Sequence, residues 1–166
     1  MVDRVYEGFL RRQLDEAREL MDSSDRVHLE PLGSPWPDRY RVRFTCRGLV
    51  RAPDGAMRET ERFEVGIRFP ADYLRRADPV QVLTWLGPMN VYHPNISDIA
   101  PVICIGPIKA GTPLVTLVER CYQVITYQKV TTALWNTLNP RAAVWAAAER
   151  DRFPVDPRPL RAESGR

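Results

Sequence analysis

His93-Pro94-Asn95-Ile96-Ser97-Asp98-Ile99-Ala100-Pro101-Val102-Ile103-Cys104-Ile105 is the stretch on which the reading of this chain turns. It sits inside a longer run, Gly87 to Pro113, that has little periodicity and five prolines. A loop of that length in a compact domain is usually functional or disordered. Tyr92, His93 and Cys104 are not the residue types that keep a segment disordered. The run therefore reads as a functional loop between two patterned halves.

Upstream of it the chain alternates. Arg41 to Arg47 places Val42, Phe44 and Cys46 on one face, and Glu61 to Phe69 does the same with Phe63, Val65, Ile67 and Phe69. Pro53-Asp54-Gly55 between them is a turn signal, so the two runs read as an antiparallel hairpin with a fairly long connection. Val80 to Leu86 reads as a further buried strand, which extends the meander. Before the strands, Asp3 to Met21 carries Val5, Phe9, Leu10, Leu14, Ala17, Leu20 and Met21 near helical spacings and reads as an amphipathic helix. Leu32 to Asp38, with Gly33, Pro35 and Pro37, reads as a loop.

Downstream, Leu114 to about Tyr127 has one apolar face, with Leu117, Val118, Cys121, Val124 and Ile125, and reads as a second helix. Asn139-Pro140 opens a last, Ala-rich helix, because Asn caps and Pro suits the first turn. The order predicts an α+β fold: an N-terminal helix, an antiparallel meander sheet of about four strands, a long irregular loop and C-terminal helices. Residues 1–151 read as one domain, and 152–166, with three prolines and no period, as a tail.

Composition excludes several classes. At 166 residues and 19.1 kDa the chain can bury a core without disulfides or metals. The net charge is +3, and the basic residues are scattered among acids, which argues against nucleic acid as a partner. No apolar run approaches the ~20 residues of a membrane span. Met1 to Leu20 mixes charge throughout, so a cytoplasmic protein is expected. Of the 24 basic residues only Lys109 and Lys129 are lysine, which fits a genome rich in Arg and Ala codons. No glycine-rich phosphate loop appears, and two histidines are too few for a typical zinc site, so neither a cofactor nor a metal is expected.

Three cysteines, an odd number at wide spacing, make neither a disulfide framework nor a CxxC pair. Cys46 falls on the inward face of its strand and Cys121 on the apolar face of its helix, where thiols are inert packing residues. Cys104 lies in the loop. Its neighbours Val102, Ile103 and Ile105 suit one more small core residue, while its position suits a nucleophile. On the cysteine pattern alone both readings stand.

The motifs around it narrow the choice. Arg68-Phe69-Pro70-Ala71-Asp72-Tyr73, then Pro79 and an apolar strand, then His93-Pro94-Asn95, then Ile103-Cys104-Ile105 and Thr112-Pro113-Leu114 before a helix, resemble the ubiquitin-conjugating enzyme family. The resemblance covers roughly residues 5–148. Departures from the family pattern are specific. Leu74 stands where a proline is usual, the step from Asn95 to Cys104 is one residue longer than the common form, and Gly106 stands where many members carry Asp. The tryptophan usual before the second helix is replaced by Gly111-Thr112-Pro113. The ending, with Leu138-Asn139-Pro140, Trp145 and Phe153-Pro154, looks like the bacterial branch, whose operons also encode a ubiquitin-like protein, an activating enzyme and a deconjugating protease.

The resemblance implies two acyl transfers. Cys104 would take the C-terminus of a ubiquitin-like modifier from the activating enzyme's thioester and pass it to an amine, usually lysine, of a target protein. Asn95 would either donate to the oxyanion that develops at the attacked carbonyl or hold the loop by backbone hydrogen bonds. His93 would support the loop structurally. With Gly106 in place of an acid, Asp98 is the remaining loop carboxylate that could assist the incoming amine. Arg4, Arg11 and Arg12 on the first helix match a face that docks the activating enzyme; a solvated face with pairs such as Glu7–Arg11 is the plainer alternative. Two other functions compete. One is a scaffold of the same fold that binds a ubiquitin-like protein without transfer, disfavoured because Cys104 and His93-Pro94-Asn95 are retained. The other is a thiol hydrolase using Cys104 and His93, for which no third group is evident. An anti-phage role would follow from an operon of the bacterial type.

Overall fold

A computed structural model describes residues 3–161. Helix α1 (Arg4–Ser23) begins where the Asp3 carboxylate accepts the amides of Val5 and Tyr6 at 3.0 and 3.2 Å. It buries Phe9, Leu10, Gln13, Ala17 and Leu20, while Val5, placed on that face by its spacing, is 73% exposed at the first turn. Strands β1 (Val27–Leu32), β2 (Arg39–Arg51), β3 (Met57–Arg68) and β4 (Leu83–Gly87) form one antiparallel sheet in the order β1-β2-β3-β4. The alternating residues behave as the pleat demands: Val42, Phe44 and Cys46 of β2 and Phe63, Val65 and Ile67 of β3 are buried. Helix α1 and the later helix α3 (Leu114–Ile125) cover that face, joined where the buried Gln13 Oε1 accepts the Leu114 amide at 2.7 Å. The other face carries the ion pairs of Arg41 and Arg43 with Glu64 and Glu30.

Three elements differ from the sequence reading. β1 is a strand the pattern did not single out; Val27 and Leu29 are buried and pair opposite Phe44 and Val42. The expected strand from Val80 to Leu86 is shorter, because Asp78 accepts the Val80 amide and Pro79 fits a first turn, which makes Pro79–Val82 a short helix, α2, with Val80 exposed. Between Thr45 and Gly48 the β2–β3 register shifts. Only glycine fits there, since a Cβ on Gly48 would lie 2.5 Å from Phe63 Cζ.

The C-terminal part is also more ordered than a tail. Helix α4 (Pro140–Ala148) is capped by Asn139, whose Oδ1 accepts the Ala142 amide at 3.1 Å. Beyond it Pro154, Asp156 and Leu160 are buried. Asp156 accepts the Arg47 amide at 3.0 Å and Arg158 Nε at 2.7 Å, and the Tyr122 hydroxyl donates to the Arg158 carbonyl at 2.6 Å. The Ser24 hydroxyl donates to the Leu160 carbonyl. Over 153–160 the expected tail is therefore a docked segment that reaches from α4 to the end of α1. Residues 1–2 and 162–166, the outermost parts of the assigned domain and tail, lie outside the described residues.

Candidate active site

The long loop has order without periodicity because hydrogen bonds zip it to itself. Ile96 and Ile103 form an antiparallel bridge. The Cys104 amide donates to the Asn95 carbonyl at 2.8 Å, and the Ser97 amide to the Val102 carbonyl at 3.0 Å. The Ser97 hydroxyl accepts the amides of Ile99 and Ala100, closing the tip. The Trp85 amide donates to Pro101, fixing the tip to β4. Ile96, Ile103, Ile105 and Ile108 anchor the stretch in the core.

That frame separates the three thiols. Cys46 and Cys121 are fully buried, and burial pushes each thiol up to about 12. Cys104 is exposed, flanked by buried Ile103 and Ile105. Its side chain points outward from a backbone held on both sides.

His93 is 1% exposed. Its Nδ1 accepts the Asn95 amide at 3.0 Å, and its ring meets Tyr127 edge-on with centroids 4.4 Å apart. Burial pushes the imidazole down to about 3, with the Lys129 backbone offsetting part of the effect. It is therefore neutral at physiological pH, and the nitrogen a base would use is occupied by the loop.

The Asn95 amide is locked by a residue the sequence did not mark. The Thr131 amide donates to Asn95 Oδ1 at 2.9 Å, which fixes which end of the Asn95 amide is oxygen. Nδ2 then faces Thr131 Oγ1 at 3.2 Å and the Cys104 carbonyl at 3.5 Å. Thr137, Leu138 and Asn139 donate to the Pro94 carbonyl, so the segment from Thr131 to Asn139 straps the His-Pro-Asn turn at both ends. Between the anchors Trp135 stands 88% exposed.

The other expected residues are dispersed. Asp98 is exposed and lines a cleft of about 410 Å³ with Arg51, Tyr92 and Arg141, a cleft that Cys104 does not border. Arg4, Arg11 and Arg12 are exposed along α1. Arg11 lies over the Trp36 ring at 5.3 Å; the ion pair found on this helix joins Arg18 to Asp15. Lys109 is exposed, and its carbonyl accepts both the amide and the hydroxyl of Thr112 in the turn before α3. Among the described residues no group of His, Cys, Asp and Glu is placed to hold a metal, and no helix is long and apolar enough to cross a membrane.

Sequence reasoning missed Thr131 and also Arg120, whose Nη2 donates to the carbonyls of Ile105 and Pro107 at 2.6 and 2.7 Å. No spacing rule marks Thr131. None marks Arg120 either; the turn it holds contains Gly106, with φ of 87°.

No protein-family model and no curated protein sequence matches the chain. Solved structures do. One described as a novel ubiquitin-conjugating enzyme superposes with a TM-score of 0.59 at 15% identity, over 91% of this chain and 90% of that one. The E2 domain of a Toxoplasma gondii ubiquitin conjugating enzyme gives 0.56 at 17% identity, over 87% and 90%. Nearly the whole chain thus has the ubiquitin-conjugating-enzyme fold, and its exposed Cys104 lies in the loop that follows the His-Pro-Asn turn.

Proposed function

We propose that the chain is a conjugating enzyme for a ubiquitin-like modifier, with Cys104 as the acyl carrier. The observation that carries this reading is the sorting of the thiols: Cys104 alone is exposed, on a loop braced by Asn95, within a fold shared with ubiquitin-conjugating enzymes. In the first step the Cys104 thiolate attacks the thioester carbonyl of the charged activating enzyme. A new C–S bond forms and the activating enzyme's thiolate leaves. In the second an amine of the target, a lysine in the simplest case, attacks the Cys104 thioester. The C–N bond forms, the amine loses its proton and the Cys104 thiolate departs.

Beside Cys104, Asn95 Nδ2 is a placed amide donor: it lies 3.5 Å from the Cys104 carbonyl, and it reaches an acyl oxygen by leaving Thr131. His93 shapes the turn and moves no proton. Asp98, in its separate cleft, is better suited to a target contact than to deprotonating the amine. The activating enzyme docks along α1 through Arg4, Arg11 and Arg12. The C-terminal motifs and Arg-rich composition support a bacterial conjugation pathway, with a deconjugating protease among its partners and defence against phage as its role, in the cytoplasm.

Co-expression with the products of the neighbouring genes tests this. A ladder of modifier conjugates is expected with the wild type and is lost with Cys104→Ala. A ladder that survives Cys104→Ala overturns the assignment. Neighbouring genes unrelated to a modifier or an activating enzyme remove the pathway and leave the fold.

A further inference from the structure

We propose that Arg120, on α3, is a positioning residue for Cys104: its guanidinium clamps the turn immediately after the cysteine and packs against Gly106. The inference rests on the transfer reading above and adds a residue to it. Cys104 hangs between two anchors. On its upstream side the anchor is its own amide bond to the Asn95 carbonyl. On its downstream side the carbonyls of Ile105 and Pro107, which flank Gly106, are held by one nitrogen: Arg120 Nη2 carries two hydrogens and places one on Ile105 at 2.6 Å and one on Pro107 at 2.7 Å.

Gly106 between those carbonyls is what permits the clamp. Its φ of 87° is a left-handed conformation that side-chain-bearing residues rarely adopt. A Cβ there would lie 3.1 Å from that same Nη2. The turn's φ calls for glycine whatever stands at 120, and a Cβ would in addition press on the clamping nitrogen. The charge on Arg120 is not spent on the adjacent acid of its helix, since Glu119 faces Arg161 at 3.6 Å. A cation-assisted hydrogen bond is stronger than a neutral one, and the planar fork sets the angle of the turn as a flexible lysine would not. A carrier thiol gains from such bracing because its sulfur must meet two successive partners in one geometry, and small displacements are costly.

The clamp can be tested with Arg120→Met, with Arg120→Lys as the conservative control. Two readouts are followed: amide hydrogen exchange over residues 103–110, and loading of Cys104 from the charged activating enzyme. With the clamp, Arg120→Met speeds exchange over 103–110 and slows loading about tenfold in kcat at an unchanged KM, while Arg120→Lys recovers part of the rate. Wild-type exchange or wild-type loading in Arg120→Met overturns the proposal. If the wild type itself does not load, the transfer reading fails and takes the positioning role with it, whereas a wild type that loads beside an indifferent Arg120→Met sinks the clamp alone.

Discussion

His93 carries a measurable cost for its place in the turn. Free histidine titrates near 6.5, while in the fold burial holds it down to about 3. The unfolded chain therefore takes up a proton below about pH 6.5 that the folded chain refuses. The stability due to neutral His93 is complete above that pH and is lost as the pH falls. By pH 5 the loss is on the order of 2 kcal/mol. Between pH 6.5 and 5 most carboxylates stay ionised, and comparison with His93→Gln separates His93 from the chain's other histidine, His28. Denaturant midpoints should fall with acidification in the wild type and change much less in His93→Gln. Parallel curves for the two would mean that His93 is protonated in the fold. At this scale the chain was half legible. Strand alternation and helix period were enough to bury Cys46 and Cys121 and leave Cys104 to the loop. Thr131 and Arg120 were not readable, because each acts on backbone or side-chain atoms of a segment distant in sequence, and no period records such a contact.

Elements read from periodicity held where the period was long and failed where it was short. β2 and β3 each bury a run of alternating residues, so their register follows from the sequence. β1 has six residues, and Pro31 with the exposed Leu32 blurs its alternation. α2 exists because one Asp78 cap outweighs the β-branched Val80 and Val82 that follow it. The docked segment after α4 has no period at all. Asp156 fixes it, accepting the Arg47 and Arg158 amides and pairing with the Arg158 guanidinium, which holds its carboxyl well below the usual range. Asp156→Ala leaves those donors without their acceptor and should cost about 2 kcal/mol, or roughly 4–8 °C in Tm. Limited proteolysis should then cleave first within residues 153–160. A variant with wild-type Tm and protection would show that the segment is held by its apolar residues alone.

As a whole the molecule divides its labour between a sheet-and-helix frame that follows a simple hydrophobic code and a face around Cys104 written in irregular backbone. The frame places α3 so that Arg120 reaches the loop after Cys104, and the strap from Thr131 to Asn139 holds the His-Pro-Asn turn before it. Both supports converge on one outward-facing sulfur. The direct measurement is the intact mass of the purified chain after incubation with its activating enzyme, modifier and ATP. One modifier should be added per chain, removable by thiol reductant, converted by Cys104→Ser to a reductant-resistant ester and abolished by Cys104→Ala. A reducible adduct of the same mass on Cys104→Ala would place the carrier elsewhere and contradict the assignment.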